Sequence, residues 1–252
     1  MDLGLNDKVA LVTGAGSQIG FGKGIVMSLA RNGCDIISCD IDIEGAEKTA
    51  EDVIAIGRRA IAVRADITNT LQVKTVVERA VNEFGRIDIL VNNAGAGTPP
   101  KSFLETTESD WDRDININLK GVLICTRAVL DQMIARGSGK IINVTSHCAR
   151  TGGAAVAVYS AAKAGVVAFT KGLASEMAPL GITVNSVAPG LGYTQFVASA
   201  TKEMLNSFLE KVPSGKPTTP DDMGNAVAFL ASDLSMNIVG QSLSVDGGLT
   251  MY

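Results

Sequence analysis

Lys8-Val9-Ala10-Leu11-Val12-Thr13-Gly14-Ala15-Gly16-Ser17-Gln18-Ile19-Gly20-Phe21-Gly22 is the stretch on which the fold turns. Its first six residues make a short apolar run of the kind a buried strand uses. The glycines that follow let the backbone turn tightly and approach a ligand closely. Beyond them, Gly24-Ile25-Val26-Met27-Ser28-Leu29-Ala30 has a helical pattern. A glycine-rich turn between strand and helix presents free N–H groups and a positive dipole end to a phosphate.

The alternation continues outward from this stretch. Strands are expected at Asp35 to Asp40, Ala60 to Arg64, Ile87 to Val91, Lys140 to Thr145, Ile182 to Ala188 and Ser242 to Val245. Helices fill the gaps: one to about Gly57, then Leu71 to Phe84, Ser109 to Arg136, one through Tyr159 to about Pro179, and Asp221 to Ala231. Seven short apolar strands alternating with helices imply an α/β fold, a doubly wound parallel sheet of Rossmann-like type. No linker, repeat or low-complexity segment interrupts the chain, so residues 1–252 are expected to form a single domain. Gly190 to Pro220 is long for a plain connection and is expected to form a substrate lid.

Composition narrows the function. The 252 residues carry a net charge of -4 and no basic cluster, which argues against a nucleic-acid surface. Apolar runs are strand-sized, well short of the roughly 20 residues that span a membrane. Met1-Asp2-Leu3-Gly4 lacks the features of a signal peptide, so a cytoplasmic protein is expected. Cys34, Cys39, Cys125 and Cys148 form no C-x-x-C pair, and His147 is the single histidine. Reduced, buried thiols and no metal site are expected.

Asp40 ends the second strand, where a carboxylate can accept hydrogen bonds from a ribose diol and would repel a 2′-phosphate. Ile41 follows it, and no Lys or Arg lies within Gly14 to Gly22. NAD is therefore the expected cofactor in preference to NADP.

Tyr159 and Lys163 stand four residues apart and share a helix face. A free phenol has a pKa of about 10, too high for easy proton exchange near neutrality. An adjacent cation would favour the phenolate. Ser146 lies thirteen residues upstream of Tyr159.

Taken together, these motifs resemble the short-chain dehydrogenase/reductase family in its Tyr-x-x-x-Lys branch. The resemblance covers about residues 5 to 250. It is carried by the Thr13-Gly14 turn, Asn92-Asn93-Ala94-Gly95, Asn118 in Ile117-Asn118-Leu119-Lys120-Gly121, Ser146, Tyr159-x-x-x-Lys163, Pro189-Gly190 and Val245-Asp246-Gly247-Gly248. It implies that Tyr159 is the acid in ketone reduction and the base in alcohol oxidation. Lys163 would lower the pKa of Tyr159 and bind the nicotinamide ribose. Ser146 would hold the substrate oxygen, and Asn118 would kink its helix and hold a water linking Lys163 to solvent.

The resemblance also implies cofactor contacts at Gly14, Ser17, Gln18, Gly20, Phe21, Gly22, Asp40, Asp66, Ile67, Asn93, Ala94, Gly95, Tyr159, Lys163, Pro189, Gly190, Gly192 and Thr194. A homotetramer paired through the two long helices is a further implication. Two positions depart from the family pattern. A strict overlay puts Gln18 where a glycine belongs, whereas a two-residue insertion places Gly20-Phe21-Gly22 correctly. Gly192 stands where Ile or Val is usual, and Gly190-Leu191-Gly192 is expected to be flexible.

The leading expectation is an NAD-dependent oxidoreductase acting on a small-molecule secondary alcohol or ketone. A 3-oxoacyl carrier-protein reductase using NADPH is one alternative, and a catalytically silent dinucleotide-sensing protein is another. The enlarged loop suits the enoyl reductase branch as well, but that branch spaces Tyr and Lys more widely. His147, Cys148, Arg150, Ala154, Tyr193 and Phe196 are candidates for the substrate pocket, with a partly apolar lid at Val197, Met204, Leu205, Phe208 and Leu209.

Overall fold

Seven strands pair into one parallel sheet in a computed structural model that describes residues 2–192 and 207–251. They are β1 (Val9–Thr13), β2 (Asp35–Asp40), β3 (Ala60–Arg64), β4 (Ile89–Asn92), β5 (Gly139–Val144), β6 (Ile182–Pro189) and β7 (Ser242–Val245). The spatial order is β3-β2-β1-β4-β5-β6-β7. The order reverses between β1 and β4, and a ligand crevice opens at the carboxyl ends of strands at such a switch point.

The helices are α1 (Phe21–Arg31), α2 (Ile43–Ala55), α3 (Thr70–Phe84), α4 (Glu108–Ile115), α5 (Gly121–Arg136), the single turn α6 (Cys148–Thr151), α7 (Ala157–Met177) and α8 (Pro220–Ala231). Strand periodicity sorts the core onto two faces. Ala10 and Val12 pack with Ile25, Leu29 and Val227 on one side. Val9 and Leu11 pack with Val76, Val129 and Met133 on the other. Both layers are continuous under a sheet whose inner strands are buried on both faces, as parallel sheets require. Cys34, Cys39 and Cys125 are free and buried in these layers, and Cys148 is free and half-buried. No helix is long and apolar enough among the described residues to cross a membrane.

The long helix expected from Ser109 to Arg136 is instead two helices joined by a π-helical turn over Asn116–Lys120. Sequence periodicity does not reveal the extra residue in that turn. Asn118 sits in it, fully buried, and donates to Asp114 O (3.0 Å) and Ala96 O. A π-turn of this kind redirects one side chain out of the regular helical register.

A buried amide chain locks the centre of the sheet. Asn92 donates to Thr126 Oγ1 (3.0 Å) and Asn143 Oδ1 (2.8 Å), and Asn143 donates to Thr170 Oγ1 (2.9 Å). It ties β4 and β5 to α5 and α7, the elements that frame the site below. Residues 193–206 of the expected lid lie outside the described residues, including Tyr193, Thr194, Phe196, Val197, Met204 and Leu205.

Candidate active site

The turn after β1 is built on close backbone approach. Gly14 has φ +69°, and a Cβ on Gly22 would run into the Gly14 carbonyl. The first turn of α1 therefore lies directly on the strand end, with Gly22 at the contact. Asn93 braces the turn by donating to Thr13 O and Gly14 O, both at 2.9 Å. Thr13 Oγ1 accepts from the N–H groups of Asn93 and Ala94, each at 3.1 Å.

The amino end of α1 carries Gly20 as its cap residue and no side-chain cap. Its first N–H groups thus remain to be satisfied by an anion or solvent. Ser17 Oγ, in the same turn, is buried without a partner. These features fit a dinucleotide pyrophosphate. Gln18 contributes differently from what the overlay implied. Its amide donates to Gly16 O (2.8 Å), Gly45 O (3.0 Å) and Thr49 Oγ1 (3.3 Å), and its carbonyl accepts from Lys23. The side chain braces the loop against α2.

Asp40 stands at the crevice rim. Its Oδ2 accepts from Gly16 N (2.7 Å) and its Oδ1 from Asp42 N (3.0 Å). Each carboxylate oxygen has a second lone pair, so a ribose diol can still be bound. Arg64 is the register partner of Asp40 on β3 and is exposed. Only the sheet pairing reveals this cation beside Asp40, because the two residues are far apart along the chain. Asp66 follows β3 and uses Oδ1 to accept from Thr68 N (2.9 Å) and Thr68 Oγ1 (2.7 Å). Ile67 is buried, and a Cβ on Gly121 would strike it.

Across the switch point, α7 brings Tyr159 and Lys163 to the ends of β4 and β5. Lys163 is 3% exposed, and its ammonium donates to Val144 O at 2.9 Å. It stands 5.9 Å from the centre of the Tyr159 ring. Ser146 and Tyr159 share a side-chain hydrogen bond, and Ser146 Oγ also accepts from Cys148 N at 3.2 Å. A Cβ on Gly95 would lie 3.0 Å from Asn118 Oδ1 and 3.2 Å from Lys163 Nζ. Asn118 Oδ1 is buried without a partner. The four residues expected to carry the chemistry are therefore one cluster.

The electrostatics differ from the expectation. Burial pushes the Tyr159 phenol up to about 12 and outweighs the Ser146 hydrogen bond. Burial also pushes Lys163 down to about 8. Shared helix spacing suggested a cation acting on a phenol, but the ammonium is directed at Val144 O and both groups are desolvated. Near neutrality the phenol holds its proton, the state a proton donor needs.

The pocket wall beyond Ser146 is partly polar. His147 Nε2 lies 3.3 Å from Cys148 Sγ, its ring meets Phe208 edge-on at 5.6 Å, and burial lowers its pKa. The Cys148 thiol is pushed up, mainly by burial, which disfavours its thiolate. Arg150 donates to Ser244 Oγ (2.7 Å) and Ser242 O, which straps α6 to β7. Ala154 is exposed on the turn before α7.

Gly190-Leu191-Gly192 is braced instead of loose. Gly190 N donates to Val245 O and Thr218 Oγ1, both at 3.2 Å, and Thr218 N donates to Leu191 O at 2.8 Å. A Cβ on Gly192 would collide with the Phe21 ring and lie 2.8 Å from Thr218 O. Gly192 thus leaves room for the Phe21 ring at the start of α1. Gly192→Val is expected to lower unfolding stability in urea by about 1–3 kcal/mol, and adding Phe21→Ala is expected to recover most of the loss. A double variant no better than the single one would rule out this coupling.

A family model described as enoyl-(acyl carrier protein) reductase matches residues 14–250. The chain is 42% identical over 253 aligned positions to (2S)-[(R)-hydroxy(phenyl)methyl]succinyl-CoA dehydrogenase subunit BbsD of Thauera aromatica, covering 99% of each chain. It is 40% identical to a 3-oxoacyl-[acyl-carrier-protein] reductase of Synechocystis, covering 98% of this chain and 99% of the relative. Among solved structures, a protein from Beutenbergia cavernae described as an NAD(P)-dependent gluconate 5-dehydrogenase, with NADP bound at low occupancy, superposes with a TM-score of 0.93. It is 35% identical, and the match covers 99% of both chains. With its seven-stranded switch-point sheet and near-complete matches to these proteins, the chain belongs to the short-chain dehydrogenase/reductase family and is an oxidoreductase with a Rossmann-like nicotinamide-cofactor fold.

Proposed function

We propose that the protein interconverts a small-molecule secondary alcohol and its ketone with NAD(H), using Tyr159 as the proton donor and acceptor. The observation that carries this reading is the single cluster of Tyr159, Ser146, Lys163 and Asn118 at the switch-point crevice. When bound, the nicotinamide supplies or accepts the hydride. The turn at Gly14 to Gly22 holds the pyrophosphate on the α1 amino end, and Asp40 takes the adenosine ribose. Asn93, Ala94, Gly95, Pro189 and Gly190 line the nicotinamide half.

Ser146 holds the carbonyl oxygen and Tyr159 delivers a proton to it in reduction. Ser146 and the phenol stabilise the charge that develops on that oxygen. Lys163 and Asn118, on either side of Gly95, connect the phenol to the ribose side of the crevice and complete its proton path. Initial rates on a panel of secondary alcohols, polyols, hydroxy acids and 3-oxoacyl thioesters, each with both cofactors, test the reading. Cofactor binding without hydride transfer on the whole panel would replace it with a dinucleotide-sensing role.

The second reading, a 3-oxoacyl carrier-protein reductase using NADPH, is favoured by the Synechocystis relative and by the exposed Arg64 beside Asp40. Asp40→Ser decides between the cofactors. Removing the carboxylate is expected to shift the ratio of kcat/KM for NAD over NADP toward NADP by at least about tenfold, since one repelled or lost charge-assisted contact is worth roughly 1.5–3 kcal/mol. An unchanged ratio would show that Asp40 does not select the cofactor.

A further inference from the structure

Asp114 is a buried carboxylate that no part of this mechanism uses. It is 5% exposed and lies on the last turn of α4, one helical turn before Asn118. Burying a carboxylate is costly unless it is hydrogen-bonded. Asp114 Oδ1 accepts from Thr98 N at 2.8 Å and from Thr98 Oγ1 at 3.0 Å. Lys101, a cation on this side of the loop, pairs with Asp110 at 2.7 Å instead. The Asp114 charge is therefore held by hydrogen bonds and has no ion-pair partner among the described residues.

Thr98 belongs to the loop that leaves β4 through Ala94 and Gly95. That loop is tied at two points: to α4 by the Asp114 carboxylate at Thr98, and to the π-turn by Asn118 at Ala96. Asn118 is itself bonded to the Asp114 carbonyl. The loop wall, the Asn118 amide and the Gly95 approach to Lys163 thus share one anchor. The titratable groups placed around Tyr159 are Lys163 from its own helix, Cys148 with His147 beside it from the turn after β5, and Asp114 from α4, the helix packed against α7.

Building on the reaction proposed above, we propose that Asp114 is a positioning residue for Tyr159: it fixes the Ala94–Thr98 wall through Thr98 and sets the charge behind the phenol. A negative charge there disfavours the phenolate and keeps the proton donor loaded. The electrostatic influence of Asp114 on Tyr159 has that sign.

Three variants separate wall from charge. Asp114→Asn keeps an acceptor for Thr98 and removes the charge. It is expected to leave KM within about twofold and to move the ascending limb of the pH profile for alcohol oxidation down by about half a pH unit. Thr98→Val loses one wall bond and keeps the charge, so KM rises and the limb stays. Asp114→Ala shows both effects. A limb unmoved in Asp114→Asn, or moved equally in Thr98→Val, would overturn the proposal. Tyrosinate absorbance provides a readout that needs no turnover. The Tyr159 titration of the cofactor-free protein, taken as the difference from Tyr159→Phe, is expected to shift down in Asp114→Asn. A wild-type protein without hydride transfer would sink the proposed reaction alone, whereas an unshifted phenol titration would sink the role of Asp114.

Discussion

Tyr159→Phe is expected to lower kcat by about 10²- to 10⁴-fold, the range that positioned acid–base groups contribute, while cofactor affinity stays within about twofold. The ring fills its place on α7 without the hydroxyl, so packing against Lys163 is kept. What disappears is the proton of the half-buried phenol, whose pKa burial raises to about 12, and the hydrogen bond it shares with Ser146. The proposed cofactor contacts are spread over the Gly14–Gly22 turn, Asp40 and the Asn93–Gly95 segment, so losing one hydroxyl leaves most of them. Stopped-assay rates together with fluorescence titration of the reduced cofactor check both halves. A variant with near-wild-type kcat would mean that another group supplies the proton. His147, which follows Ser146 in the chain, is the candidate, and its pKa, lowered by burial, would then have to appear in the residual pH profile.

How much of this was legible beforehand differs from element to element. The strands and their order-determining alternation could be read because each strand is short, apolar and bounded by turn residues. The cluster of Asn118, Ser146, Tyr159 and Lys163 could be read because each sits in a local motif. The electrostatics could not, because a shared helix face fixes direction and says nothing about burial. Helix spacing suggested a cation acting on a phenol; the fold desolvates both and turns the ammonium to Val144 O.

Asp114 was invisible for a related reason. It ends the polar run Glu108-Ser109-Asp110-Trp111-Asp112-Arg113-Asp114, in which Asp110, Asp112 and Asp114 look equally solvent-bound. Only the packing of α4 against the Thr98 loop distinguishes the one that is buried. Arg64 was missed because strand register, not sequence distance, brings it to Asp40. Gly192 was read as a source of flexibility, since a glycine in a loop carries that meaning by default. Its partner, the Phe21 ring, lies far away in sequence.

Lys163→Met is expected to abolish most activity and yet make the fold more stable. Lys163 ionises at about 8 in the protein, against roughly 10.4 in an unfolded chain. Between those values the unfolded chain binds more protons than the native one, so stability rises with pH across that window. Below it both states are charged, and the native state bears the full penalty of a buried ammonium, about 3 kcal/mol for a difference of this size. Methionine fills a similar volume with no charge to bury. It forfeits the hydrogen bond to Val144 O, which costs about 1 kcal/mol. A net gain of about 2 kcal/mol at neutral pH follows, with the rise between pH 8 and 10.4 flattened. Tyr159 acts in the opposite sense and in a separate window. Its raised pKa makes the native state the tighter proton binder from about pH 10 to 12, so stability falls there in both proteins. Urea unfolding at a series of pH values resolves the two windows. A Lys163→Met protein less stable than wild type at neutral pH would show that the ammonium is compensated in the fold by a charge, and the desolvation account of Lys163 would have to be abandoned.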